Sequence, residues 1–163
     1  MKTVYLVRHA KSSWKDSELS DIDRPLKAKG VEDAYGLAEL IAKRKICPDL
    51  MLASTAVRAF HTGVILARQI EYPVHRIKVK ENIYESNKEE LFEELGQTTD
   101  DLDSVMIVGH DPALTNFANH YIRKPKEKIP TSSVLCLKID SDTWKNLKSS
   151  KGKLDFFETP KDK

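Results

Sequence analysis

The chain has 163 residues, enough for one domain around one sizeable core. Apolar residues make up 40% and charged residues 32%, an ordinary globular composition without the ~18 consecutive apolar residues of a bilayer span. A formal net charge of +2, from 27 basic and 25 acidic residues, falls short of the basic excess of a dedicated nucleic-acid binder, so neither nucleic acid nor membrane is expected as a partner.

The run Thr3-Val4-Tyr5-Leu6-Val7, dense in β-branched and aromatic residues, predicts a buried strand over 3–8. Val31, Ala34, Leu37, Ala38 and Ile41 then recur on one helical face, and Cys47-Pro48 is expected to close that helix. A second strand is predicted over 49–53. A second helix follows, with Val57, Phe60, Val64 and Ala67 on its apolar side, ending before Tyr72-Pro73. A third strand over 75–80 precedes a helix capped near Asn87 that buries Leu91, Phe92 and Leu95. A fourth strand over 104–109 leads to Pro112, which opens a helix burying Leu114, Phe117, Ala118 and Tyr121. Strands over 134–140 and 153–158 complete the set. The alternation predicts a three-layer α/β/α sandwich around a mostly parallel sheet. One domain is expected over 1–163, with 159–163 as a disordered tail. The N-terminus has no small-residue cleavage site, and Cys47 and Cys136 fit no zinc or redox spacing, so a reducing cytoplasm is expected.

Sheets of this kind hold ligands at the carboxyl ends of their strands. The first strand ends in Arg8-His9, and the second in Ser54-Thr55 with Arg58 in the next turn. The third is followed by Tyr84-Glu85, and the fourth ends in Gly109-His110. Two arginines and two histidines thus converge on one rim with nothing acidic obliged to neutralise them, and a bound anion is the simplest compensation. Guanidinium matches phosphate oxygens, and imidazole is a nucleophile toward phosphorus. Gly109 is expected to turn the backbone tightly, and the helix opened by Pro112 to aim free N–H groups at the rim. Ser54 and Thr55 would serve likewise at the second helix. Taken alone, Arg8-His9 reads equally as a surface arginine and a locally satisfied loop histidine.

Arg8-His9, the segment Ser54…Arg58…Thr62, and Gly109-His110 followed by Pro112 resemble the histidine phosphatase superfamily, also called phosphoglycerate-mutase-like. The short length, and Arg24-Pro25-Leu26 with Gly30, resemble its small SixA-type branch of phosphohistidine phosphatases. The resemblance runs from residue 4 to about 140. It departs from the family at Ala10, where glycine is common, and at Asp111, where asparagine is common and an acid would repel phosphate.

The resemblance implies a phosphoglycerate-mutase-like fold with His9 as the nucleophile that forms a phosphohistidine intermediate, which water then hydrolyses. It implies Arg8, Arg58 and His110 as the grip on the phosphoryl oxygens, with Ser54 beside them and His110 working as a cation. No metal or other cofactor is expected. A general acid would come from Glu85 or Glu81, each of which also reads as a solvated carboxylate. An imidazole leaving group reduces the need for one.

Arg24 lies in the loop 10–25 and either reaches the site or stays outside it; Trp14, in the same loop, lines the pocket mouth or covers the core edge. His61, His75 and His120 read as structural or surface residues, and Asn116 as a helix-surface amide. Arg123-Lys124-Pro125-Lys126 and the lysine-rich stretch from 145 read as solvated faces. The function expected is a phosphatase acting on phosphohistidine in a protein. The alternatives are a small-molecule phosphomonoesterase and a non-catalytic phosphate-binding module. A nucleotide-binding domain would need a glycine-rich loop after the first strand, which this sequence lacks.

Overall fold

Six strands form one sheet in the computed structural model, which describes residues 1–160. They are β1 (Lys2–Arg8), β2 (Leu50–Ser54), β3 (Lys78–Lys80), β4 (Ser104–Gly109), β5 (Ser133–Ile139) and β6 (Gly152–Glu158), in the order β3-β2-β4-β1-β5-β6. The first four run parallel, while β5 pairs antiparallel with β1 and β6 antiparallel with β5. The central strands β2 and β4 read as unbroken apolar runs because helices cover both faces.

Side chains alternate across the sheet. Val7, Met51, Ala53, Met106 and Val108 pack under α1 (Ala28–Lys43) and α2 (Val57–Gln69). Val4, Leu6, Leu52, Val105 and Ile107 pack against α3 (Lys88–Gly96), α4 (Ala113–Asn119) and a 3₁₀ turn at Trp144–Ser149. The three-layer α/β/α arrangement is the one expected. Asn87 caps α3, its side chain accepting the Glu90 N–H.

Three expectations need correction. Helix α1 closes at Lys43, before Cys47-Pro48, because Lys45 takes a left-handed conformation (φ 56°) and the Ile46 N–H bonds back to the Ile41 carbonyl at 3.3 Å. Strand β3 starts at Lys78 because Val74–Arg76 forms a 3₁₀ turn after Pro73. Helix α2 is rotated from the expected face: Val57 and Phe60 are 40% and 37% exposed, while Arg58, Ala59, Thr62, Gly63 and Leu66 are buried. The small side of the helix faces the sheet, where a Cβ on Gly63 would stand 3.7 Å from Val108, and this turns Arg58 inward. Of the expected tail 159–163, Pro160 lies against Gly36 of α1, and residues 161–163 lie outside the described residues. No helix of the described residues is long and apolar enough to cross a membrane.

Gly30 marks where α1 meets the chain leaving β1. An added Cβ there would overlap the Lys11 carbonyl oxygen, which accepts the Lys27 N–H at 3.0 Å. Gly30→Ala is therefore expected to destabilise the protein by roughly 1–3 kcal/mol. Urea denaturation checks this, and an unchanged midpoint would contradict it.

Candidate active site

Register places the site. Arg8 pairs with Gly109 across β1 and β4, and the His9 N–H bonds the Gly109 carbonyl at 3.1 Å. His9 and His110 therefore leave adjacent parallel strands at one level, their ring centroids 5.0 Å apart. Strand β2 ends beside them, and Ser54 Oγ lies 2.7 Å from His110 Nε2. The Tyr84 ring meets His110 edge-on at 5.6 Å. Gly109 contributes space rather than conformational freedom: its φ is not positive, and a Cβ would come within 3.1 Å of Ile83.

The His9 ring is buried, and its Nδ1 stands 2.6 Å from the Ala10 carbonyl oxygen. A carbonyl only accepts, so Nδ1 carries the proton and Nε2 keeps its lone pair. The turn is held from α2: the Ala10 N–H donates to Thr62 Oγ1 at 3.0 Å, and that hydroxyl donates to the Arg58 carbonyl at 2.8 Å. Fully buried Ala10 fits where glycine is common in the family, because the turn uses only its backbone.

The two arginines approach from different elements. Arg8 Nη1 donates to the Ile129 carbonyl at 2.8 Å. Arg58 donates through Nη1 to the Asp21 carbonyl (2.7 Å) and through Nη2 to Asp21 Oδ2 (3.0 Å). In both guanidinium groups Nε is buried without a partner among the described residues, as is Thr55 Oγ1. Buried donors are nearly always satisfied, so two orphaned guanidinium N–H groups beside two histidines mark a place for an anion.

Asp21 corrects the expectation that no acid neutralises this rim. Its Oδ2 accepts from Arg58 and from the Tyr84 hydroxyl (2.6 Å), and its Oδ1 pairs with Arg24 at 3.1 Å. These bonds, led by that from Tyr84, hold the carboxyl down at about 2. The only sequence signal for it was its spacing of three from Arg24; the contact with Arg58 spans 37 positions and comes from folding alone. Arg24 is buried in the site wall, bonded to Ser12, with its guanidinium 3.4 Å over the ring of exposed Trp14.

Asp111 does not project at the site as a bare acid. It accepts the Thr115 N–H (3.1 Å), the Thr115 hydroxyl (2.7 Å) and the Ile129 N–H (3.3 Å). The Thr115 N–H, expected to aim at the rim from α4, is thereby taken. Asn116, with Arg8, Glu127 and Lys128, lines an adjoining cavity of about 320 Å³. Glu85 and Glu81 are exposed, and no hydrogen bond or ion pair among the described residues joins either side chain to the site. His61 and His75 are exposed, and His120 Nε2 bonds the Lys148 carbonyl at 2.7 Å.

Burial, aided by the charges of Arg58, Arg8 and Arg24 and opposed by the bond to Ala10, brings His9 down to about 4. Burial, His9 and Arg58 bring His110 down to about 3. These shifts favour the neutral form of both rings, whereas the cationic His110 expected from the sequence is the form that an anion bound beside it would favour. The unfolded chain protonates these rings near the ordinary value of about 6.5, whereas the folded chain resists down to about 4 and 3. Stability is therefore full above about pH 6.5 and falls as pH is lowered toward those values, by roughly a few kcal/mol. Imidazole titration by NMR is expected to show neither ring gaining a proton above about pH 5; a midpoint near 6.5 for either would contradict the assignment.

Fold and site together define an α/β protein that gathers two arginines and two histidines at the carboxyl ends of parallel strands. The family model of the histidine phosphatase superfamily (branch 1) matches residues 4–87, and the chain belongs to that superfamily. An uncharacterised protein of Mycobacterium tuberculosis is 28% identical over 95% of this chain and 100% of its own. An Agrobacterium tumefaciens structure described as a candidate phosphohistidine phosphatase SixA is 28% identical, covers 98% of both chains and superposes with a TM-score of 0.81. The protein histidine phosphatase SixA complexed with tungstate, 19% identical with 97% of both chains covered, has the same fold at a TM-score of 0.81.

Proposed function

We propose that this chain is a phosphatase that passes a phosphoryl group through His9 to water, and that it acts on phosphohistidine in a protein. The observation carrying this reading is the His9 ring, whose Nδ1–H is committed to the Ala10 carbonyl at 2.6 Å, leaving Nε2 unprotonated beside two arginines with orphaned N–H groups. Nε2 attacks phosphorus in line, the bond to the leaving group breaks, and the leaving group departs with the electron pair and takes up a proton. Water then attacks the phosphorylated imidazole, the P–N bond breaks back onto Nε2, and inorganic phosphate leaves. Arg8, Arg58 and His110, with Ser54 steadying His110, hold the equatorial oxygens as charge spreads over them.

Two points favour phosphohistidine over an alkyl phosphate. The Agrobacterium relative, matched end to end, is described as a candidate phosphohistidine phosphatase. No described bond ties Glu85 or Glu81 to the site, and an imidazole leaves with far less help from an acid than an alkoxide does. The tungstate bound by the SixA of the same fold is an oxyanion of phosphate's shape.

The test incubates the protein with radiolabelled phosphohistidine and, separately, para-nitrophenyl phosphate, quenching without acid. Label on His9 and release of phosphate are expected. Turnover without a labelled histidine would overturn the scheme, and turnover of the ester alone would favour a small-molecule phosphomonoesterase. Activity is also expected to survive exhaustive chelation; a strict need for added divalent ions would contradict the arginine-only charge scheme.

A further inference from the structure

Among the described residues, Asp21 is the one carboxylate that bonds an arginine of the proposed phosphoryl grip through its side chain, and nothing in the scheme above uses it. Its side chain is 48% exposed, so the charge stands on the cleft wall rather than in the core. Three donors fix it there: Tyr84 and Arg58 on Oδ2, Arg24 on Oδ1. Its backbone carbonyl takes the other Arg58 nitrogen, at 2.7 Å. The residue thus clamps Arg58 from two sides and keeps a permanent negative charge near His110.

The other charges near the mouth are mixed, so the bias rests on Asp21. Arg8 feels Asp111, and the cavity that Arg8 lines also presents Glu127, with Lys128 as its other cation. Glu85 is exposed beside Tyr84. Arg24 and Arg58 are already paired with Asp21. A phosphoryl dianion meets the guanidinium groups of Arg8 and Arg58, whereas a second anion on the same substrate that lies toward Asp21 meets a half-exposed carboxylate.

We propose that Asp21 is a specificity-determining residue: it holds Arg58 for the phosphoryl group and, as a fixed anion on the cleft wall, selects against substrates whose leaving group is itself anionic. Neutral and cationic leaving groups, an imidazole or imidazolium among them, pass this filter. The proposal rests on the phosphatase reading above and narrows its substrate class. Like-charge juxtaposition is how a site rejects a competitor that attraction alone would admit.

The test compares phenyl phosphate with two relatives that carry either a carboxylate or an aminomethyl group at the meta position of the ring. The carboxylate ester is expected to be about tenfold poorer than phenyl phosphate in kcat/KM at low ionic strength, and the ammonium ester at least as good. Asp21→Asn keeps an oxygen for the Arg58 and Tyr84 bonds while removing the charge. It is expected to shrink the carboxylate penalty to within about threefold, because the repulsion is gone. A penalty that persists in Asp21→Asn would overturn the proposal. The wild-type enzyme gives a second measurement that needs no variant to fold. Because Asp21 is half exposed, raising salt from about 0.02 M to about 0.5 M is expected to narrow the penalty, and a salt-independent penalty would also overturn the proposal. Failure to turn over any of the three esters or phosphohistidine would instead remove the phosphatase reading, and this proposal with it.

Discussion

Replacing His9 with alanine is expected to abolish both turnover and the trapped phosphoenzyme, a loss of at least about 10⁴-fold in kcat. The size follows from geometry. His110 lies 5.0 Å away by ring centroid and is oriented by the contact of its Nε2 with Ser54 Oγ at 2.7 Å, so the remaining imidazole is held in another position. Folding is expected to survive, because the turn is held by the Ala10 N–H on Thr62 and the His9 N–H on Gly109, both backbone donors. Radiolabel transfer and steady-state kinetics on the same preparation check the result. Retained turnover in a folded His9→Ala protein would end the assignment of the nucleophile.

Arg58→Ala is expected to lower kcat by about 10²–10³-fold, the usual cost of removing one donor aimed at transition-state charge. Its guanidinium is buried, pre-positioned by two bonds to Asp21, and holds an N–H that no other group satisfies. Arg58→Lys should recover little, because an ammonium cannot hold Asp21 through two nitrogens and present a third. The cost in stability is expected to be smaller than the cost in rate, because Asp21 keeps Tyr84 and Arg24 and remains half exposed. Steady-state kinetics separates the possibilities: a rise in KM with kcat intact would mean that Arg58 binds the ground state only.

The strands were legible because fully buried strands leave unbroken apolar runs, as in Val105-Met106-Ile107-Val108. The rim residues were legible because each follows directly from such a run. Helix α2 was not. Its large apolar residues, Val57 and Phe60, stand partly exposed while Arg58, Thr62 and Gly63 face inward. Periodicity assigns the core side by hydrophobicity, whereas close approach to the sheet selected the side with small residues. The partners of Asp111 were not legible for a related reason: they are set by local geometry, which turns the carboxylate onto Thr115 and Ile129.

Local order in the chain therefore determined the elements, the strand ends and the identities of Arg8, His9, Arg58 and His110, because hydrophobic runs and their polar exits are properties of neighbours in sequence. Only the tertiary structure decided how those groups are charged and held. Asp21 meets Arg58 across 37 positions and Tyr84 across 63, and burial together with neighbouring positive charge lowers the pKa of both imidazoles. Ion pairing and desolvation depend on distance in space and exclusion of water, and neither is recorded in the order of residues along a chain.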